Sequence, residues 1–230
     1  MNSENLQTDL SVRAAINLYY DLYIPENLKL PAPLLIAVHG YGAHKGYMMR
    51  EARIIADEQF VVASLQAPFQ HFRQTADGYK TGFGWLTDYK ADESILLHHK
   101  FVSETIAKLA AAKIADTGNI FLYGFSQACA LNFRFAFTFP EVLRGVIGAC
   151  GGIPSDLEAN ADYKPAKADV LYFYGDDDEF YTPEKFHTFE NKLKNYLPNI
   201  QVNRYRAKHE ITSQMREDMK IWLDKVKNKK

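Results

Sequence analysis

From Ile16 the chain alternates apolar and polar positions, with Ile16, Leu18, Tyr20, Leu22 and Ile24 at every second place and Pro25 closing the run. A two-residue period marks a strand buried on one face, so this segment is predicted as a β-strand. Further along the pattern changes. Leu34 to Val38, Phe60 to Leu65, Ile120 to Tyr123, Val142 to Ile147 and Val170 to Tyr174 are short, mostly apolar runs without alternation. Strands of a parallel sheet covered on both faces read in this way. A further strand is expected over Ile200 to Arg206.

Between these runs the period lengthens. Ser94 to Ala115 sets Ile95, Phe101, Val102, Ile106, Leu109 and Ala110 on one broad helical face. Pro183 stands where a first-turn proline fits and opens a helix through Phe186, Phe189 and Leu193. The last helix is expected from about Ile211, with Met215, Met219, Ile221, Trp222 and Val226. Strands alternating with helices predict an α/β fold with a mainly parallel central sheet and helices on both faces. Two segments carry neither period. Gln66 to Asp92 reads as a long irregular loop, a kind that usually serves function. Gly151 to Ala168 is too short for a separate cap domain, which predicts an open site on a single domain spanning residues 1–230.

Composition narrows the function class. Lys and Arg total 27 against 28 Asp and Glu, a formal net charge of -1, which gives no electrostatic reason to expect nucleic acid or a membrane surface as partner. The basic run Lys225 to Lys230 reads as a frayed, solvated helix end. Cys129 and Cys150 are too few for a disulfide framework and lack metal-site spacing, so both are expected as buried thiols and no metal or cofactor is expected. Met1 to Leu10 is polar, without a signal-peptide pattern, and no apolar run reaches the roughly 18 residues of a membrane span, so a cytoplasmic protein is expected.

The sharpest chemical feature is Gly124-Phe125-Ser126-Gln127-Ala128, set between a predicted strand and a predicted helix running to about Phe139. A serine on such a strand–turn–helix junction stands at a strained, exposed position, and the close chain packing requires small residues two before and two after it. Acyl transfer also needs oxyanion donors. The N–H of Gln127 and one from the glycine-rich turn His39-Gly40-Tyr41-Gly42, taken as that of Tyr41, are expected to supply them. The same turn invites a nucleotide reading. That reading fails because the next strand ends in Ser64-Leu65-Gln66 without an acid for a ribose, and Lys45 precedes Gly46 where a P-loop needs Ser or Thr. A serine needs a base and the base an acid, in the chain order Ser, acid, His. Of the histidines after Ser126, His187 falls inside a predicted helix, whereas His209 lies on the loop before the last one and is the expected base. The strand Val170 to Tyr174 runs into Gly175-Asp176-Asp177-Asp178-Glu179, and chemistry alone leaves the choice among four acids open. His98 and His99 are adjacent on a helix, where neighbours diverge, and no metal site is expected of them.

GFSQA, the HGYG turn, YGDDDEFYTPE and KHEIT together resemble the phospholipase/carboxylesterase group of α/β hydrolases, from about residue 34 to the last helix. The resemblance implies the α/β-hydrolase fold and a serine esterase acting on a small-molecule carboxylic ester, with thioesterase and lysophospholipase activities as relatives. It implies Asp178 as the acid, three residues after the strand-ending Gly175, and His209 as the histidine before the Glu-Ile pair. Three positions depart from the group's pattern: Ala128 for a glycine, Tyr174 for a histidine, and Tyr41 for a small aliphatic residue, which would narrow the acyl entrance. Phe83, Trp85 and Phe180 are the residues expected to touch substrate, and Arg73, Lys80 and His71 are alternatives for an acidic substrate group. An acyltransferase on the same residues, or a binding protein using the same pocket, remains open. The sequence is silent on oligomeric state.

Overall fold

The computed structural model describes residues 6–229, so the amino-terminal part of the polar Met1 to Leu10 stretch and Lys230 lie outside the described residues. In chain order the first elements are β1 (Tyr20–Tyr23), β2 (Ala32–Val38), α1 (Lys45–Ala56), β3 (Val61–Leu65), β4 (Phe69–Thr75), β5 (Gly78–Gly84) and α2 (Ala91–Ala111). They are followed by β6 (Ala115–Phe125), α3 (Gln127–Thr138), β7 (Gly145–Ala149), β8 (Asp169–Gly175), α4 (Pro183–Leu193), β9 (Ile200–Tyr205) and α5 (Ser213–Lys227). Seven strands form one sheet in the order β1-β3-β2-β6-β7-β8-β9. All neighbours run parallel except β1, which pairs antiparallel with β3 at the edge.

The unalternating apolar runs follow from burial on both faces. Within β2, Leu34, Ile36 and Val38 join one core with α2, α3 and α4, through Val102, Leu109, Leu131, Phe133 and Phe186. Leu35 and Ala37 point the other way, into a second core closed by Met48, Ala52 and Ile55 of α1 and Met215, Met219 and Trp222 of α5. Each such Leu, Ile or Phe contributes about 1.5–3 kcal/mol when fully buried. Local capping fixes the helix starts: the Thr182 hydroxyl accepts from Lys185 N with Pro183 in the first turn, and Thr212 accepts from Met215 N.

Several elements differ from the sequence reading. The alternating strand from Ile16 shortens to Tyr20–Tyr23, because Tyr20 already pairs with Leu65, the last residue of β3; beyond it Tyr19 O accepts from Gln66 N, and earlier residues run past the end of β3. The run from Val142 starts pairing only at Gly145, since Phe139 to Leu143 form the turn out of α3. Gln66 to Asp92 is not irregular: β4 and β5 pair along their whole length as a hairpin, with Thr75 opposite Gly78 across a two-residue turn. Most of its side chains are solvent-exposed, so no apolar alternation marks it. Helix α1 is an addition to the elements read from the sequence. Met48, Ala52 and Ile55 have its spacing, but Gly46 and the glycine-rich turn before it obscure the start. In the basic run, Lys227 pairs with Asp224 and Lys229 with Asp169, so part of it is bound rather than frayed. Among the described residues no helix is long and apolar enough to cross a membrane.

Candidate active site

The strands β2, β6, β8 and β9 end on the same side of the sheet, where the order reverses about β2 and ligands collect in open α/β folds. At the end of β6, Ser126 has φ 55° and ψ -119°. A non-glycine residue held there costs on the order of 1–3 kcal/mol and persists only when its surroundings impose it. They do: Ser126 N donates to Ala149 O at 2.9 Å, and Cys129 N donates back to Ser126 O at 3.0 Å. The approach is close enough to demand small neighbours. A Cβ on Gly124 would stand 3.1 Å from the backbone of Ala128, and one on Gly151 would stand 2.2 Å from Ser126 O. Cys129 lies just beneath and is fully buried, which raises its thiol well above the usual range; burial likewise pushes Cys150 up to about 12.

The four acids of the turn after β8 make different contacts. Asp176 takes Arg204 at 2.8 Å, and Glu179 accepts from His209 N at 3.0 Å and lies 3.6 Å from Lys208. Asp177 is fixed through its backbone, N–H to Ala207 O. Asp178 alone turns inward: its Oδ2 meets His209 Nδ1 at 2.8 Å, while Oδ1 accepts from the N–H groups of Phe180 and Tyr181 at 2.8 and 3.0 Å. Both loops can meet because Gly175 lacks a side chain, a Cβ there falling 2.1 Å from Ala207 O. The His209 ring is packed between Phe125 at 4.9 Å and Phe180 at 4.7 Å. His187, by contrast, is an exposed residue of α4 beside Asn191.

His39 is fully buried beneath the glycine-rich turn. Its Nε2 accepts from Ala67 N–H at 3.1 Å, so the ring proton sits on Nδ1 and donates to Gly40 O at 2.7 Å. Burial keeps the ring neutral, with its pKa lowered to about 4. Because a trans peptide sets C=O and N–H opposite, holding the Gly40 carbonyl turns the Tyr41 N–H away from His39. Trp85 Nε1 donates to His39 O at 2.7 Å, and the Gln127 side chain clamps the chain beyond, accepting from Trp85 N and donating to Leu86 O.

Two hollows meet at Ser126 and Gln127. One, about 740 Å³, is lined by Tyr41, Arg73, Lys80, Phe180, Tyr181 and His209 among others. The other, about 500 Å³, lies beyond and is lined chiefly by Leu86, Leu131, Ile153, Pro154 and Phe189. Phe180 thus stands at the first hollow. Trp85 is 2% exposed and Phe83 half-buried against the core, and neither lines either hollow; they anchor the hairpin instead.

A family model described as phospholipase/carboxylesterase matches residues 22–227. The chain belongs to this family. Its α/β-hydrolase fold is shared with the Bacillus cereus carboxylesterase, at TM-score 0.71 and 19% identity over 91% of this chain and 94% of that one. Esterase PE8 gives TM-score 0.71 at 18% identity over 92% and 100%, and Zea mays acyl-protein thioesterase 2 gives 0.71 at 14% over 91% and 99%. No curated protein matches the chain significantly in sequence.

Within this phospholipase/carboxylesterase framework the departures have plain local reasons. Ala128 is fully buried against Gly124, with room for one methyl. Tyr174 stacks on Phe186 at 4.1 Å and so belongs to the core. Tyr41 stacks on His71 of the hairpin at 4.7 Å. His44, Tyr47 and Thr81 also line the larger hollow and lie outside the motifs read from the sequence; Tyr181 and His39 lie within YGDDDEFYTPE and HGYG, motifs that give neither a role, and the contact of His39 with Ala67 is distant in the chain.

Proposed function

We propose that the protein hydrolyses carboxylic esters, with Ser126 as nucleophile, His209 as base and Asp178 as the group that orients it. The observation that carries this reading is the Asp178–His209 contact of 2.8 Å at the mouth that also contains Ser126. With its Nδ1–H donated in a hydrogen bond to Asp178 Oδ2, His209 keeps Nε2 free to take the serine proton. Two backbone N–H groups hold the other oxygen of Asp178, so the carboxylate stays an acceptor and fixes the imidazole tautomer.

Ser126 Oγ attacks the ester carbonyl while its proton passes to His209. The oxyanion is taken by the N–H groups of Tyr41 and Gln127, the latter opening α3, where the helix dipole favours negative charge. Collapse expels the alcohol with the proton from His209, and water, deprotonated by the same ring, releases the acid from Ser126. Thioesters would follow the same steps with a thiol leaving.

Intact mass after fluorophosphonate treatment tests the reading. One adduct is expected on the wild type, none on Ser126→Ala, and labelling slowed by about a thousandfold or more on His209→Ala. A folded wild type that stays unlabelled sinks the assignment.

A further inference from the structure

Among the described residues, the charged side chains that line the larger hollow, apart from the histidines, are Arg73 and Lys80, and no aspartate or glutamate lines it. The chain as a whole carries net charge -1, so two unopposed cations at this one mouth are a local enrichment. They are directly opposed partners on β4 and β5. Opposed side chains on an antiparallel pair stand about 5 Å apart, and like charges there destabilise the pairing. Little offsets the repulsion. Lys80 Nζ lies 3.9 Å from Asp77, itself 84% exposed, and Arg73 joins none of the ion pairs among the described residues.

Lysines on exposed edges commonly serve only to block aggregation. That purpose would turn the charges outward, whereas Arg73 leans over the glycine-rich turn: a Cβ on Gly42 would stand 3.5 Å from Arg73 Cδ. The hairpin is held in that register by Gly42 N, which donates to Phe83 O at 2.8 Å. The backbone carrying Arg73 is therefore held over the glycine-rich turn, and Arg73 and Lys80 line the same hollow as Ser126 and His209. The smaller hollow lacks His209, Arg73 and Lys80; its own cations, Arg134 and Lys192, are paired with Asp156 and Glu158, and Leu86, Ala130, Leu131, Ile153, Pro154 and Phe189 make much of the remaining wall apolar.

Taking the serine-esterase reading as its basis, we infer that the substrate's leaving part carries an anionic carboxylate or phosphate, gripped by Arg73 and Lys80. The departing group must reach His209 to collect its proton, which seats it in the cationic hollow; the acyl chain then occupies the apolar one. Arg offers a planar pair of donors and Lys a point charge, a combination suited to an oxyacid group.

The test compares kcat/KM for 4-carboxyphenyl butanoate and 4-carbamoylphenyl butanoate, which differ in charge at the leaving part. Wild type should favour the carboxylate by roughly tenfold, and the preference should shrink as NaCl is raised. The paired Arg73→Gln, Lys80→Gln variant should bring the ratio near one; taking the ratio on each variant cancels any loss common to both esters. Arg73→Glu with Lys80→Glu should instead favour a trimethylammonio-substituted phenyl ester, a gain that misfolding cannot mimic. Equal rates in the wild type, or a preference kept by both variants, overturn the inference while leaving the esterase reading intact. A charge preference found only between monophenyl adipate and phenyl adipamate overturns it too, by moving the anion to the acyl side. If no ester is cleaved and no fluorophosphonate adduct forms, the esterase reading itself fails, and this inference with it.

Discussion

His39 shows how a single buried ring can govern a site it does not touch. Its imidazole ties Ala67 and Gly40 together, with the Gln66 amide also 3.0 Å from Nε2, while its backbone carbonyl takes Trp85 Nε1. The ring is a neutral donor and acceptor, a state that burial enforces by lowering its pKa to about 4. In the proposed mechanism its work is to aim the Tyr41 N–H through the Gly40 peptide, which makes it a positioning residue. His39→Phe keeps most of the ring volume against Trp85, whose ring lies 5.4 Å away, but removes the ring's polar contacts with Gly40, Ala67 and Gln66. Losing one oxyanion donor costs about 10² to 10³ in kcat. A displaced donor should cost less, so a fall of roughly tenfold to a hundredfold in kcat is expected, with KM changed little. Stopped-assay kinetics on a chain-matched ester separate the two constants. A variant that loses KM and keeps kcat would show that His39 shapes binding rather than the oxyanion donors.

The β4–β5 hairpin is the element whose behaviour the sequence conceals most. It stands apart from the main sheet; Phe83 anchors it to the core, and its contact with the glycine-rich turn runs through glycines. A Cβ on Gly82 would fall 3.2 Å from Gly42 Cα, and one on Gly84 3.2 Å from the Tyr41 ring, so the bare backbone of β5 nests directly on the glycine-rich turn. Gly82→Val should lift the hairpin off that turn. Because few core side chains depend on it, the expected result is a loss of about tenfold or more in kcat/KM, with Tm lowered by less than about 4 °C. Differential scanning calorimetry beside the ester assay reads both, and a large Tm drop without a rate loss would place the hairpin in the stability of the fold instead. Its concealment has a physical cause. Strands such as β2 and β6 were legible because burial on both faces forces an apolar run. Phe69, Phe72 and Tyr79 are exposed, so no face had to be apolar, and only Asp77-Gly78 hinted at the turn. The Ser126 junction was legible for the opposite reason: strand, turn and helix are contiguous, so its packing demands fall on Gly124 and Ala128 within the motif. Among the acids after β8 no such signal exists. Asp178 differs from Asp176 and Asp177 only in what the folded backbone points at it, and resemblance, not chemistry, singled it out.

Across the whole molecule, polar groups are buried where the helices α2 and α3 pack beneath the site. His98 and His99 are 1% and 7% exposed, and His98 has both ring nitrogens without a hydrogen-bond partner among the described residues; it packs edge-on to Trp85 at 5.3 Å. Burial lowers His98 to about 3 and His99 to about 4, beside His39 at about 4. All three shifts are downward, so between about pH 3 and 6.5 these rings bind fewer protons in the folded protein than in the unfolded chain. Their stabilising contribution is therefore complete above the ordinary histidine value and is lost as pH falls from 6.5 toward 4. At about 1.4 kcal/mol per pH unit, each ring costs roughly 2 kcal/mol at pH 5, and the three together have an upper bound near 6 kcal/mol. That is comparable with the whole stability of an ordinary domain. Carboxylates such as Glu179 and Glu184, held below their usual 4.5, weaken the fold only at still lower pH, so the two effects separate. Urea unfolding at pH 7.5 and 5.0 should show a loss of several kcal/mol for the wild type. In His98→Phe the difference between the two pH values should shrink by about a third, whatever the new ring costs in packing, because that cost is present at both. A wild type equally stable at both pH values would mean that these rings gain partners or water on protonation, and that the interior beneath Ser126 is wetter than its burial implies.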